Sequence, residues 1–150
     1  MTLKLTCLAC GQANRVPRDK LDAAPKCGRC GVRLVSTRPQ EVSLDILQKA
    51  ARRDELPLIV DFWADWCAPC RMMAPEFAEA AGMLAERARF AKLDTQAHPR
   101  AGEIYGIRGI PLLIAFQNGG EAGRQTGAMQ ARQIADWAGQ IARTHRNAGA

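Results

Sequence analysis

The chain has 150 residues, of which 47% are apolar and 24% charged, a balance typical of an ordinary folded domain. No stretch approaches the roughly 20 consecutive apolar residues of a membrane-spanning helix, and the N-terminal apolar run is too short for a signal peptide. We therefore expect a cytoplasmic protein with no membrane partner, in a compartment where thiols are kept reduced.

The net charge of +6 comes entirely from residues 1–40, which hold eight Lys or Arg against two Asp. A basic segment of this kind can indicate a nucleic-acid-binding module. However, residues 1–40 contain no aromatic side chain on which a base could stack, and four thiolates around one zinc ion would lower the positive charge by two. We therefore do not expect nucleic acid as a partner.

The six cysteines form three Cys-x-x-Cys pairs, and the first two pairs lie in a segment that differs from the rest of the chain. Residues 1–35 are rich in Cys, Gly, Pro and basic residues and have too few large apolar side chains to fold without a cross-link such as a disulfide or a bound metal. Residues 36–42, which include Pro39, indicate a linker. Residues 43–150 are predicted to form the main domain.

The first two pairs have the spacing of a zinc site, because 16 residues separate one pair from the other. Each pair directs two sulfurs at one ion, and two pairs complete a tetrahedron. The predicted ligands of one structural zinc ion are Cys7, Cys10, Cys27 and Cys30. Four protein ligands leave no open position for catalysis. Two structural disulfides are the alternative, which a reducing compartment disfavours.

The main domain alternates helical and strand patterns. Ser43 is a predicted N-cap for a helix through about Arg53, and the apolar run Leu58–Trp63 predicts a strand covered on both faces. The remaining predicted elements, in chain order, are a helix over 68–88 kinked at Pro75, a strand over 90–94, a helix over 99–105, strands over 111–116 and 121–126 joined by the turn Asn118-Gly119-Gly120, and a helix over 129–145. This order predicts a mixed sheet between layers of helices.

The third pair, Cys67 and Cys70, lies where a predicted strand meets a predicted helix. Cys67 would then occupy the helix N-terminus, whose unsatisfied N–H groups stabilise a thiolate, the nucleophile of disulfide exchange. Cys70, one turn further along, would be the shielded resolving thiol. A metal site or a static disulfide is the alternative. The first would need two further ligands, and the second is disfavoured where thiols are kept reduced.

Asp61 interrupts the apolar run of the predicted strand, six residues before Cys67. Burial would raise the pKa of its carboxyl group, and the carboxylate could then accept a proton from Cys70. A strand residue that faces solvent is the alternative. Lys92, in the next predicted strand, is a candidate neighbour of Asp61.

Several motifs together resemble the thioredoxin family. They are Val-Asp-Phe-Trp-Ala-Asp-Trp-Cys-Ala-Pro-Cys at 60–70, Ala-Pro at 74–75, Tyr-Gly-Ile-Arg-Gly-Ile-Pro at 105–111 and Phe-Gln-Asn-Gly at 116–119. The resemblance covers roughly residues 41–145, and with the N-terminal cysteines the whole chain resembles zinc-containing bacterial thioredoxins of the thioredoxin 2 type. It implies an α/β thioredoxin fold with a central mixed sheet flanked by helices and an N-terminal zinc-ribbon-like module.

The resemblance also implies roles for individual residues. Cys67 would be the exposed nucleophile, Cys70 the resolving thiol and Asp61 the buried proton acceptor. Pro111 would be a cis-proline, and the backbone of Ile110 would pair with the substrate chain. The implied substrate-binding residues are Trp66, Ala68, Pro69, Gly109, Ile110, Pro111, Gly127 and Ala128. Trp63 is interpreted as core packing rather than as a substrate contact.

The activity implied is that of a monomeric protein-disulfide reductase without an organic cofactor. Its clients would be disulfide-containing proteins, and NADPH would re-reduce it through thioredoxin reductase. Two departures, Ala68 for the usual Gly and Leu112 for the more common Thr, leave the reduction potential and the substrate preference open. The alternative functions are a disulfide oxidase or isomerase, and a zinc-dependent redox-sensitive chaperone or binding module.

Overall fold

The computed structural model describes residues 1–148, with side chains as far as residue 144. Its N-terminal module begins with an antiparallel hairpin of β1 (Thr2–Thr6) and β2 (Ala13–Pro17), followed by a 3-10 helix (Arg18–Ala23). The first Cys-x-x-Cys pair lies in the hairpin turn. The second lies in a loop closed by a bridge between Lys26 and Arg33. Residues 149–150 of the predicted main domain lie outside the described residues.

The main domain is built on a five-stranded mixed sheet, as predicted. Its strands are β3 (Gln40–Glu41), β4 (Leu58–Trp63), β5 (Arg89–Asp94), β6 (Leu112–Gln117) and β7 (Gly120–Thr126), in the spatial order β3-β5-β4-β6-β7. The neighbours β3, β5 and β4 run parallel, whereas β6 and β7 pair antiparallel. β4 is completely buried except for partial exposure at Trp63, which explains its continuous apolar sequence.

Four helices cover the two faces of the sheet. They are α1 (Leu44–Arg53), α2 (Ala68–Met83), α3 (Arg100–Tyr105) and α4 (Ala131–Ala148). On one face, α1 and α3 pack over a cluster that includes Val60, Phe62 and Leu93. On the other face, α2 and α4 pack over a cluster that includes Ile59 and Phe90. Within residues 1–148 no helix is both long enough and apolar enough to span a bilayer.

Local sequence explains several element boundaries. Ser43 caps α1, because its Oγ accepts a hydrogen bond from the backbone N–H of Ile46 at 3.2 Å. Asn118 and Gly119 have positive φ angles of 52° and 84°, the conformation that a tight hairpin between β6 and β7 requires. Both features agree with the sequence prediction.

Most of the other predicted bounds shift by one to three residues, and two differences are larger or change the type of element. The predicted helix over 68–88 ends at Met83, because the chain turns through Glu86, with a φ of 73°, to begin β5 at Arg89. The predicted linker, residues 36–42, is not wholly irregular. Gln40–Glu41 pair with β5 as an edge strand, and Val42 is buried in the core under α1.

The N-terminal module packs against the start of β4 and β5 through a buried polar seam. The carboxylate of Asp54 forms an ion pair with the guanidinium of Arg89 and also accepts the backbone N–H of Thr6 at 2.8 Å. Arg89 donates a second hydrogen bond to the carbonyl of Leu34 at 3.0 Å. Because Thr6 and Leu34 belong to the module, this ion pair joins it to the main domain.

Candidate redox site and four-cysteine cluster

Cys67 and Cys70 are joined by a disulfide at the N-terminus of α2. Cys67 is the N-cap of that helix, and its Sγ accepts the backbone N–H of Cys70 at 3.2 Å. Pro69 occupies the first turn, where a missing N–H costs no intrahelical hydrogen bond. An N–H aimed at Sγ stabilises negative charge there, as does the positive end of the helix dipole.

Exposure differs sharply around the pair. The exposed fractions of Cys67 and Cys70 are 4% and 2%, so Cys67 is only slightly more accessible and is not an exposed side chain in this disulfide form. Trp66, the residue before the pair, is 70% exposed. An exposed indole therefore directly precedes a buried disulfide in the chain.

The loop that carries Pro111 lies beside the disulfide. The Ile110–Pro111 peptide bond is cis, as the family resemblance implies, and the carbonyl oxygen of Ile110 is 3.7 Å from the Sγ of Cys67. The backbone N–H of Gly127 donates to the carbonyl of Pro111 at 2.9 Å. The structure thus places Ile110 against the disulfide and ties the start of the 127–128 segment to the same loop.

Asp61 is buried within β4 on the face covered by α2, which is also the face that Cys70 belongs to. Its side chain points to the same side as that of Ile59, which packs with Met73 and Phe77 of α2. Neither carboxylate oxygen of Asp61 has a hydrogen-bond partner among the described residues. Asp61 is therefore not the solvent-facing strand residue of the alternative interpretation.

The environment of Asp61 changes its proton affinity. Burial raises the pKa of its carboxyl group to about 7, and the charge of Glu41 adds to the increase, while Lys92 opposes it. Lys92 is the direct neighbour of Asp61 in the parallel register between β4 and β5. A carboxyl group with a pKa near 7 can both accept and release a proton at neutral pH.

The four N-terminal cysteines form a second site. All four Sγ atoms lie within 4.8 Å of one another, with 3.5 Å between Cys7 and Cys30 and 3.7 Å between Cys10 and Cys27. These separations exceed the roughly 2.05 Å of a disulfide and match the edge of about 3.8 Å of a tetrahedron with metal–sulfur bonds of about 2.3 Å. The donor set therefore fits a metal ion that prefers four thiolates.

Asn14 supports this cluster and was not singled out by the sequence analysis. Its amide donates to the Sγ of Cys27 at 3.5 Å, and its Oδ1 accepts the N–H of Gly28 at 3.0 Å. It thereby fixes the turn that carries two of the cysteines. Neither its position in β2 nor any motif signals this contact, which arises only when the two loops meet.

Comparisons with known proteins agree with this geometry. A family model described as Thioredoxin matches residues 39–140, and another described as Thioredoxin 2, N-terminal, matches residues 6–32. Thioredoxin C-3 of Corynebacterium nephridii is 37% identical over 133 residues, which are 89% of this chain and 91% of that relative. Thioredoxin of Rhodospirillum rubrum is 40% identical over 81 residues, or 54% of this chain and 78% of that relative.

Solved structures show the same fold. Chloroplastic thioredoxin z superposes with a TM-score of 0.63 at 30% identity, covering 69% of this chain and 94% of the other. A mutant thioredoxin from Halobacterium salinarum NRC-1 superposes with a TM-score of 0.62 at 27% identity, covering 69% and 90%. With a Cys-x-x-Cys disulfide at a helix N-terminus, the chain is a thiol–disulfide oxidoreductase and belongs to the thioredoxin family.

Proposed function

We propose that this oxidoreductase is a protein-disulfide reductase in which Cys67 attacks the client and Cys70 resolves the mixed disulfide. The observation that carries the proposal is the position of Cys67 as the N-cap of α2, with a backbone N–H on its sulfur and the cis-Pro111 loop beside it. That arrangement favours a thiolate at a site that a client backbone can approach.

In the first step, the Cys67 thiolate attacks one sulfur of the client disulfide. The client's S–S bond breaks, a Cys67–client disulfide forms, and the departing client thiolate takes up a proton. In the second step, the carboxylate of Asp61 accepts the proton of the Cys70 thiol. The Cys70 thiolate then attacks the Sγ of Cys67 and displaces the second client thiolate. Two electrons have moved to the client, and Cys67 and Cys70 end as a disulfide.

The exposed surface around the disulfide is suited to a client chain in extended form. Trp66, Ala68 and Pro69 are exposed and adjoin the pair in sequence, and the carbonyl of Ile110 lies beside the sulfur of Cys67, between the exposed Gly109 and the buried Pro111 in the chain. We propose that the backbone of Ile110 pairs with the client, because a backbone contact accepts many sequences. Gly127, which donates a hydrogen bond to Pro111, and the adjacent Ala128 complete this surface.

Turnover requires that the new disulfide be reduced again. We propose that the electrons come from NADPH through thioredoxin reductase, that the clients are disulfide-containing proteins, and that the protein works as a monomer. We also propose a cytoplasmic location, because cysteines that are to bind a metal rather than pair as disulfides persist where the compartment is reducing.

We propose zinc as the metal of the four-cysteine cluster, held by Cys7, Cys10, Cys27 and Cys30 in a structural role. Four thiolates in a tetrahedral arrangement are a donor set that zinc favours, and bound zinc would supply folding free energy to the module. We take residues 1–35 as this module and residues 43–150 as the redox domain, joined through residues 36–42.

The test is insulin reduction coupled to NADPH and thioredoxin reductase, with zinc quantified on the same sample. Cys67→Ser should abolish turnover, while Cys70→Ser should accumulate a mixed disulfide with the client because resolution is blocked. Ala122→Ser is the matched control, since it places the same hydroxyl group at an exposed position of β7 and leaves the redox pair intact. Normal turnover by Cys67→Ser would refute the assignment.

A further inference from the structure

We propose that Glu41 is a positioning residue for Asp61, because the two carboxyl groups flank the same lysine, Lys92, on neighbouring strands, and neither holds its ammonium group in an ion pair. The inference deepens the proposed function and rests on it, since Asp61 matters only as the base of the resolving step. The carboxyl group of Glu41 would act on Asp61 through its charge and would not touch the client or the sulfurs.

The three residues form a row across three neighbouring strands. Glu41 of β3 is the register partner of Lys92 in β5, and Lys92 is the register partner of Asp61 in β4. Side chains at matched register positions point to the same face of a sheet. Lys92 therefore lies between two carboxyl groups, each one strand away, at a spacing of about 4.8 Å per strand.

The Lys92 ammonium group is not paired with either carboxyl group. Its Nζ lies 4.9 Å from the centroid of the Trp63 ring, two residues beyond Asp61 on β4. Both carboxylate oxygens of Asp61 are buried with no partner among the described residues. A buried carboxylate beside a lysine would ordinarily attract it. Because the ammonium lies over the indole, Asp61 has no ion pair, and the negative charge of Glu41 on the other side of Lys92 adds to an environment that disfavours charge on Asp61.

The other charged and titratable groups near this row can be named element by element. Burial raises the pKa of Glu41, Lys92 opposes that increase, and Asp94 on β5, the register partner of Trp63, adds to it. The register partner of Asp61 on β6 is Leu113, which carries no charge. On α2, the cysteines of the disulfide do not titrate in the oxidised protein. Among the side chains that the structure describes, Glu41 is thus the acidic residue whose charge raises the pKa of Asp61.

The inference predicts opposite effects from the two neighbours of Asp61. Glu41→Gln removes a nearby negative charge, so the titration midpoint of Asp61 should fall by roughly 0.3 to 1 pH unit, the effect of one charge at about 10 Å. Lys92→Met removes the cation and should raise the midpoint. Glu41→Asp keeps the charge and should stay near wild type. Glu79→Gln, which removes an exposed charge elsewhere on α2, is the matched control.

The measurement is the carbon-13 shift of the Asp61 carboxyl group against pH, on the oxidised full-length protein labelled at aspartate. A midpoint in Glu41→Gln that is unchanged from the Glu79→Gln control, or that rises, would overturn the inference. The pH dependence of mixed-disulfide resolution is measured in parallel and should move by the same amount. If the pH dependence of resolution does not shift when the titration midpoint of Asp61 shifts, Asp61 is not the base of that step. The carboxyl titration would still decide the role of Glu41.

Discussion

Replacing Asp61 with asparagine should change how the free energy of unfolding depends on pH. The pKa of Asp61 is about 7 in the folded protein, whereas an aspartate in an unfolded chain has a pKa of about 3.9. Below about pH 4 both states carry the proton, so burial of the neutral carboxyl group costs no ionisation energy. As pH rises from 4 to 7 the unfolded state ionises first, and the folded state loses stability until its own carboxyl group ionises.

The magnitude follows from the difference of about three pKa units, each worth about 1.4 kcal/mol. The wild-type protein therefore loses about 1.5 kcal/mol by pH 5 and about 4 kcal/mol by pH 8, relative to its stability in acid. Asparagine carries no titrating proton, so its burial cost is the same at every pH. The difference in stability between Asp61→Asn and wild type should grow by about 2.5 kcal/mol in favour of the variant between pH 5 and pH 8.

Urea denaturation of the oxidised proteins at several pH values between 5 and 8 measures this difference. At each pH the free energy of unfolding in water is obtained by linear extrapolation from the unfolding transition. Comparing the change with pH rather than the absolute stability cancels any constant cost of burying the amide. Asp136→Asn, an exposed position on α4, is the control and should track wild type. If the free energy of unfolding changes with pH by the same amount in Asp61→Asn and in wild type, burial does not hold this carboxyl group in its neutral form.

Three further predictions concern the N-terminal module. Asp54→Asn should lower the free energy of unfolding by about 3 to 5 kcal/mol, because Arg89 is 3% exposed and would be left without its carboxylate. A loss below about 1 kcal/mol in urea denaturation would contradict this. Lys26→Glu places a carboxylate opposite Arg33 and should stabilise by roughly 0.2 to 1 kcal/mol at low salt. The control Lys20→Glu, also exposed, should give no such gain in thermal melts. Metal chelation should speed amide hydrogen exchange in β1 and β2 but not in β4. If the amides of β1 and β2 are equally protected before and after chelation, the metal does not stabilise the module.

The elements with strong local signals were predictable from the sequence. The strand Leu58–Trp63 has the predicted bounds because an apolar run of this length bounded by Pro57 and Ala64 fits a buried strand. The helix after Ser43 was predicted because a serine that accepts the first free N–H marks a helix start. The cysteine pairs were visible because their spacing is set by the geometry of a turn.

Features that depend on contacts between distant segments were not predictable. The strand Gln40–Glu41 has only two residues, so no alternation of side chains signals it, and its register with β5 makes it a strand. The ion pair of Asp54 and Arg89 joins residues 35 positions apart, and neither residue lies in a motif. Glu41 was missed for the same reason, since its importance comes from the row it forms across three strands.

The position of the module limits how the metal cluster could influence the redox pair. The seam contacts Asp54, just before β4, and Arg89, at the start of β5, whereas the disulfide follows the end of β4. β4 has six residues and spans about 20 Å, so the two sites lie at opposite ends of the same strands. The module also contacts α1 close to the cluster, because Arg53 donates a hydrogen bond to the carbonyl of Gly11, the residue after Cys10, at 2.6 Å. A change in the metal cluster would therefore reach Cys67 through α1 or through the packed sheet. If metal removal alters client reduction through the seam, Asp54→Asn should produce the same change with the metal still bound, whereas Arg53→Met should reproduce it if the route runs through α1.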